Sequence, residues 1–266
     1  MMIDCHLHLP AFKELQSLIE RKQALLNELK RRKIDYAIVI PDNIKGSIIG
    51  DVDDCINLFE KQSNIFLMGT LNILKDDKCI YDKMDFLFRE EKIVGIKIFP
   101  GHDPHYPNDT RLQWVYELCI KYNAPIMIHT GWNLGNSEVA KYNDPKYIVE
   151  IAEKYKSLKI VISHYFWPQV EYCYGLTKDY NNIHFDTSGL ADEVVQLETG
   201  NDKIKRVLER TVNDNPDKVL FGTDYGMCSI EDHIKLIESL DVDYQCKEKI
   251  YYRNAMKVFN LVIKNP

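Results

Sequence analysis

The chain has 266 residues, of which 45% are hydrophobic, and its 34 basic and 40 acidic side chains give a formal net charge of −6. The acidic balance disfavours nucleic acid as a partner, and the lack of any apolar run of about 18 residues disfavours a membrane span. Seven scattered cysteines without a C-x-x-C pair, together with the lack of a signal-peptide pattern, predict a cytoplasmic protein with reduced thiols.

Short runs rich in β-branched and aromatic residues recur along the whole chain. Their starts lie about 24–35 residues apart, which is the spacing of one strand plus one helix. The predicted strands are residues 2–9, 36–41, 65–71, 94–99, 125–129, 159–164, 183–188 and 218–224.

Amphipathic segments separate these runs. In the first of them, Leu18, Leu25 and Leu29 keep one helical face. Eight strand–helix units without a linker predict an α/β fold, a (β/α)8 TIM barrel forming a single domain over residues 1–266. The competing fold is an open doubly wound sheet, which normally carries a glycine-rich phosphate loop after its first strand. The sequence has no such loop.

Polar side chains cluster at the ends of the predicted strands. Because residues i and i+2 of a strand share a face, Asp4, His6 and His8 are expected to face the barrel interior together. By the same alternation, each of four further polar residues shares a strand face with residues two or four positions away. These are His129 with Met127, Lys97 with Gly95 and Phe99, His164 with Ile160 and Ile162, and Asp224 with Gly222. Each group alone has a simpler explanation, such as a hydrogen-bonded core histidine or a helix cap. Together they predict a site at the rim where active sites of such barrels lie.

The residue types at this rim favour a metal. The predicted ligands are His6, His8, His129 and Asp224. Three imidazole nitrogens and one carboxylate oxygen suit one divalent ion, with zinc as the first choice. A water in the open position would be activated by the metal. His164 and Asp224 are the predicted catalytic residues that move its proton.

Six segments occur in the order seen in the amidohydrolase superfamily: IDCHLHL, GIKIFP, PIMIHTG, VISH, FGTDYG and NAMKVFNL. The sequence resembles the amidohydrolase-related branch of that superfamily, which includes aminocarboxymuconate-semialdehyde decarboxylase. The resemblance implies a (β/α)8 barrel with zinc, or in some members manganese, at its rim. It also implies the same four ligands and places His164 beside the metal-bound water.

Lys97 permits three interpretations. Binuclear members of the superfamily use a carbamylated lysine of the fourth strand to bridge two metals. GIKIFP instead resembles the one-metal branch, where the lysine would meet a substrate carboxylate. A structural pairing with a barrel carboxylate, Asp4 or Asp186, is the third interpretation. We favour substrate contact or structural pairing over metal bridging.

Loops after the fourth, fifth and sixth strands supply further candidates. His102, Trp132 and Tyr165 are predicted to contact substrate, although an exposed loop position is the simpler interpretation of His102. Asp186 is expected to point inward and support a ligand or Lys97. His233 is expected to face solvent.

These residues suit two reactions on a small organic molecule. The first is hydrolysis, in which metal-activated water attacks an amide, ester or lactone carbonyl. The alternative is metal-dependent, non-oxidative decarboxylation of an unsaturated or aromatic carboxylic acid. A non-catalytic metal or ligand binder on the same fold is the third hypothesis. A homodimer is the default expectation for assembly.

Overall fold

The computed structural model describes residues 1–76, 79–133 and 136–263, and eight parallel strands form its centre. The strands are β1 (Ile3–Leu7), β2 (Tyr36–Val39), β3 (Ile65–Thr70), β4 (Gly95–Ile98), β5 (Pro125–Ile128), β6 (Lys159–Ile162), β7 (Ile183–Asp186) and β8 (Val219–Leu220). Each strand pairs with the next along the chain. The backbone amide of Cys5 donates to the carbonyl of Phe221 at 2.9 Å, and the backbone amide of His8 donates to the carbonyl of Tyr225 at 2.7 Å. These bonds join β1 to the chain around β8 and close the predicted TIM barrel.

Helices follow the strands on the outside. They are α1 (Leu18–Arg32), α2 (Val52–Phe59), α3 (Cys79–Arg89), α4 (Gln113–Lys121), α5 (Pro145–Lys154), α6 (Val170–Thr177), α7 (Glu193–Thr199), α8 (Asn201–Asp214), α9 (Ile230–Glu238), α10 (Tyr244–Glu248) and α11 (Asn254–Val258). Short 3₁₀ turns span Thr110–Leu112, Ser137–Lys141 and Ser163–Phe166, and a π-helical turn spans Lys249–Arg253. Within the described ranges, no helix is both long enough and apolar enough to cross a bilayer.

Helix α1 illustrates how local sequence sets an element. Ser17 and Glu20 form a capping box, each side chain accepting from the other's backbone amide. The helix ends where Lys33 adopts a left-handed conformation, with φ of 58°. Leu25 and Leu29 are buried on the face that the sequence pattern predicts.

Two apolar layers hold the barrel together. The inner layer fills the barrel and includes Ile3, Ile38, Met68, Met127 and Val161. The outer layer, which includes residues such as Ile96, Ile126 and Phe185, packs between strands and helices. Residues of the C-terminal segment, among them Val258, Phe259 and Leu261, join the inner layer. The side chain of Asn254 donates to the Val219 carbonyl at 2.8 Å, which places this segment at the start of β8. The amino ends of the strands are therefore covered.

Strand β1 departs from the expected alternation. Its pairing register with β2 shifts between Asp4 and Leu7. Cys5 belongs to the inner apolar layer. Asp4 instead accepts from the backbone amide of Thr223 at 3.1 Å and from its hydroxyl at 2.5 Å. The expectation that Asp4 shares a face with His6 is therefore wrong, because the irregularity interrupts the two-residue repeat.

Candidate active site

A cavity of about 670 Å³ opens at the carboxyl ends of the strands. Eight of the residues singled out in the sequence line it: His6, His8, Lys97, His102, His129, Trp132, His164 and Asp224. Aromatic and aliphatic side chains, including Phe99, Trp167 and Ile48, supply much of the remaining wall. The cavity thus combines convergent polar groups with an apolar surface, as small-molecule sites do.

His6, His8 and Asp224 converge on one point. Asp224 Oδ1 lies 3.5 Å from His6 Nε2 and 3.3 Å from His8 Nε2, and the three ligand atoms lie within 4.8 Å of one another. His8 Nδ1 donates to the Ile40 carbonyl at 2.8 Å, so its Nε2 faces Asp224. Burial, followed by the charge of Lys97, lowers the pKa of His6 to about 3. A neutral His6 keeps a lone pair available for a metal.

Asp186, the last residue of β7, and Ser188, two residues later, orient these imidazoles. Asp186 Oδ2 accepts from His6 Nδ1 at 2.8 Å, and Oδ1 accepts from the His164 amide at 3.2 Å. Although burial alone would raise the pKa of Asp186, the hydrogen bond from His6 and the nearby Lys97 ammonium hold it well below its usual range. An ionised Asp186 fixes the tautomer and angle of His6, as outer-shell carboxylates do in metal sites.

His129 carries the observation that tests the fit of a metal. Its Nε2 is buried and has no hydrogen-bond partner among the described residues. Burial, followed by nearby His102 and His164, lowers its pKa well below the usual range. A buried polar atom without a partner is costly unless something binds it. His129 lines the same cavity as His6, His8 and Asp224, and a neutral imidazole nitrogen suits zinc or manganese.

The imidazole of His164 enters the cavity by a route that strand alternation does not provide. Ile160 and Ile162, with which it was expected to share a face, point into the outer layer. His164, Tyr165 and Phe166 all have positive φ, from 53° to 65°. This turn directs the imidazole inward. Its ring centroid lies 5.0 Å from the ring centroid of His6 and 5.0 Å from that of His129. The expected position holds, but its stated reason was wrong.

Ser188 leaves His164 with one ring nitrogen for the cavity. His164 Nδ1 donates to the Ser188 carbonyl at 3.0 Å, and the Ser188 hydroxyl lies 2.8 Å from the same nitrogen. Burial lowers the pKa of His164. Its free Nε2 is therefore the atom that can take up or release a proton next to a bound molecule.

Tyr165 does not line the cavity, contrary to the sequence expectation. Its ring is fully buried and stacks on Phe185 at 4.4 Å between centroids, in the outer layer. The left-handed turn that brings His164 inward sends its neighbour outward. Tyr165 is therefore a packing residue.

The other loop candidates stand at the cavity mouth. Asn133 Nδ2 lies 3.3 Å from His102 Nδ1, and the His102 ring lies 4.5 Å from the His129 ring. The ring centroids of Trp132 and Trp167 lie 6.0 Å apart. Residues 134 and 135 of the same loop lie outside the described residues. These positions place His102 and Trp132 where a molecule in the cavity would pass.

Lys97 is buried on the cavity floor without a carboxylate partner. Its Nζ donates to the Ser163 hydroxyl at 2.6 Å, and no ion pair joins it to a carboxylate of the described chain. The expected pairing with Asp4 or Asp186 is therefore wrong. Burial lowers the pKa of Lys97 to about 8, which leaves it mostly cationic at neutral pH.

Several contributors to this region were missed or misplaced in the sequence. Ser163 and Ser188 carry no chemical motif, although Ser188 stands two residues after Asp186 in the seventh strand run. His233 is fully buried, contrary to the expectation that it faces solvent. Its Nδ1 donates to the Ser229 carbonyl at 2.8 Å, and its Nε2 accepts from the Ala191 amide at 3.3 Å. His233 thereby joins two of the loops around the cavity.

Comparisons with solved structures agree with this architecture. A probable 2-pyrone-4,6-dicarboxylic acid hydrolase from Acinetobacter baumannii, with citric acid bound, is 14% identical, with 98% and 99% of the two chains covered and a TM-score of 0.70. A 5-carboxyvanillate decarboxylase from Sphingomonas paucimobilis is 15% identical, with 98% and 99% covered and a TM-score of 0.69. A dihydroxybenzoic acid decarboxylase from Polaromonas, with bound manganese and 2-nitroresorcinol, is 14% identical, with 97% and 96% covered and a TM-score of 0.70.

At these identities the structural likeness establishes the fold alone. No curated protein matches the sequence. The family model for amidohydrolases, in contrast, matches residues 3–261, nearly the whole chain. The chain therefore belongs to the amidohydrolase family and is a metal-dependent enzyme.

Proposed function

We propose that this enzyme catalyses the metal-dependent, non-oxidative decarboxylation of a small aromatic or unsaturated carboxylic acid. One observation carries the proposal. A single cavity places the His/Asp donor set, the buried Lys97 ammonium and His164 beneath an aromatic wall. A carboxylate needs a cation, the carbon that loses it needs a proton donor, and an apolar wall suits an unsaturated ring.

The metal would be held by His6, His8, His129 and Asp224. We propose zinc as the resident ion and manganese as the alternative, since neutral imidazoles and one carboxylate suit both. When bound, a divalent cation there supplies Lewis-acid polarisation of a substrate oxygen. Asp186 supports the site from behind by holding His6 in place.

Lys97 and His164 would act on the substrate directly. The Lys97 ammonium, bonded on one side to Ser163, is placed to bind the substrate carboxylate. As the bond between the carboxylate and its carbon breaks, carbon dioxide leaves and the electron pair stays on carbon. His164, whose Nδ1–H is bonded to Ser188, must first take up a proton at Nε2 from solvent, and it then delivers that proton to the carbon in place of the lost group. His102 and Trp132 border the entrance and are proposed to contact the rest of the molecule.

Hydrolysis is the second candidate, and one comparison favours it specifically. The Acinetobacter structure is described as a probable hydrolase of a pyrone dicarboxylic acid. The same donor set can activate water for attack on a lactone carbonyl. Decarboxylation ranks first because decarboxylases recur among the similar structures.

A panel of aromatic and unsaturated acids and lactones separates the two reactions. The zinc- or manganese-loaded enzyme in D₂O should release carbon dioxide and leave one deuterium on the vacated carbon. His164→Asn should lower the rate at least 100-fold while the metal content is kept. Incorporation of ¹⁸O from labelled water into an acid formed from a lactone, without carbon dioxide, would establish hydrolysis instead.

Location and assembly remain predictions from the sequence. We propose a cytoplasmic enzyme acting on a small molecule, with a homodimer as the default assembly. Light scattering on the purified protein measures the mass of the assembly directly.

A further inference from the structure

Apart from Lys97, the lysine, arginine, aspartate and glutamate side chains among the described residues that line the cavity are all acidic. Lys97 is the only lysine or arginine among the described residues that line the cavity. Four aspartates line it, namely Asp42, Asp103, Asp192 and Asp224. Asp224 belongs to the proposed metal site, and we call the other three, which stand on the loops after β2, β4 and β7, the acidic wall.

Two members of the acidic wall are held in place by their own loops. Asp42 accepts from the Ser47 hydroxyl at 2.6 Å and from the Ile44 amide at 3.2 Å. Asp192 caps helix α7 and accepts from the Val194 amide at 2.9 Å. These bonds keep both carboxylates in position without any ligand, so the wall does not require a cationic substrate.

The third member, Asp103, is mostly buried. Its two oxygens accept from the side-chain amides of Asn72 at 2.7 Å and Asn43 at 2.6 Å. In the part of the chain that the structure describes, no ion pair joins any of the three aspartates to a lysine or arginine. The wall therefore has no ion-pair partner among the described residues, although Lys75 acts on Asp103 from farther away.

We infer that the substrate carries a single carboxylate and a neutral or apolar remainder. This inference rests on the proposed function and names its substrate class, a monocarboxylic acid. The one carboxylate takes Lys97 and the metal site, which leaves no cation for a second. A second carboxylate would meet the acidic wall, where like charges repel. The isoleucines Ile44, Ile48 and Ile49 beside the wall suit an uncharged ring.

Two inert probes of equal ring size test this specificity without turnover. Benzoate carries one carboxylate and benzene-1,3-dicarboxylate carries two. Trp132 and Trp167 line the cavity, so quenching of tryptophan fluorescence in the zinc-loaded enzyme measures the affinity of each probe. Benzoate should bind roughly tenfold more tightly than the dicarboxylate, because the second carboxylate would share the cavity with the like charges of the acidic wall.

A double variant, Asp42→Asn with Asp192→Asn, tests whether the wall is the cause. Asparagine removes the charge, and its one carbonyl oxygen can still accept from the Ile44 amide in the loop and from the Val194 amide in the cap. The affinity ratio should fall to about threefold. Asp144→Asn is the matched control, because Asp144 caps helix α5 outside the cavity. That variant should leave the ratio unchanged.

Two results would overturn the inference. One is dicarboxylate binding as tight as benzoate binding in the parent enzyme. The other is a ratio that the double variant leaves unchanged. Failure of the proposed reaction is a separate outcome, since a tenfold ratio without carbon dioxide release from any acid would leave monoacid selectivity intact.

Discussion

His6 Nδ1 donates to Asp186 Oδ2 at 2.8 Å, across 180 residues of sequence. The bond joins the first and seventh strands at the cavity floor and leaves His6 Nε2 directed at Asp224. Asp186 does not line the cavity itself. Its effect on any bound metal therefore passes through the imidazole that it holds.

Replacing Asp186 by asparagine should weaken metal binding without removing a ligand. The neutral amide no longer stabilises the His6 orientation electrostatically, and loss of such support typically costs 10–100-fold in affinity. Competition with a chromophoric zinc chelator measures the change. Asp217→Asn, at a surface carboxylate bonded to Lys249, is the matched control. Equal affinities in the two variants would show that Asp186 does not support the site.

Lys97→Met should stabilise the fold and impair binding of acids. The buried ammonium has a hydroxyl partner but no carboxylate partner, so its desolvation is poorly offset. We expect the free energy of unfolding to rise by about 1–2 kcal/mol in urea titrations with chelator present. Benzoate affinity should fall at least tenfold in the zinc-loaded protein. A less stable variant that binds benzoate normally would assign Lys97 a structural role.

Gly222 gives the metal site the space that it needs. A Cβ at this position would lie 3.0 Å from His6 Cβ and 3.4 Å from Asp186 Cβ. Gly222→Ala should therefore displace His6, weaken zinc binding and destabilise the fold by about 1–3 kcal/mol. Gly175→Ala is the control, since a Cβ there meets nothing within 4 Å in helix α6. The control should be stabilised by about 0.5–1 kcal/mol and bind zinc normally.

His184 should make the stability of the fold sensitive to acid, independently of the active site. It lies on β7, where its Nδ1 donates to the Asp217 carbonyl at 3.1 Å, and burial lowers its pKa to about 4. The unfolded chain takes up this proton near pH 6.5, before the folded protein does. The free energy of unfolding should therefore fall as the pH drops from 6.5 to 4, with roughly 2 kcal/mol due to His184.

His184→Gln keeps a hydrogen-bond donor and does not titrate. In urea unfolding with chelator present, its stability should change less between pH 7 and pH 4 than that of the parent protein. Identical pH profiles of the two proteins would show that the pKa of His184 is the same in the folded and the unfolded state. The chelator ensures that metal release does not contribute.

Alternation along the strands predicts the barrel and much of its rim. His129 follows Met127, and Asp224 follows Gly222, on the inner face as expected. Burial of apolar side chains on both faces makes each strand visible as an apolar run, and the polar residues near its end reveal the phase. The eight strands are all shorter in the structure than predicted, and residues beyond the ends of β1, β5, β6 and β8, namely His8, His129, His164 and Asp224, line the cavity.

Backbone turns explain what alternation could not. The run His164, Tyr165 and Phe166 adopts positive φ, which these residue types rarely do, so the sequence carries no turn signal there. That turn brings His164 into the cavity, as expected, but sends Tyr165 into the outer layer. Asp42 and Asp192 lie in loops, where no strand phase applies. Their place in the cavity follows only from the closed barrel.

Metal content per chain tests the central claim most directly. Elemental analysis after loading with zinc or manganese and removal of excess ion should find one metal per chain in the parent protein and in His164→Asn. In His129→Ala, which removes the buried nitrogen without a partner, the content should fall well below one. No metal in the parent protein, or a full complement in His129→Ala, would contradict the account.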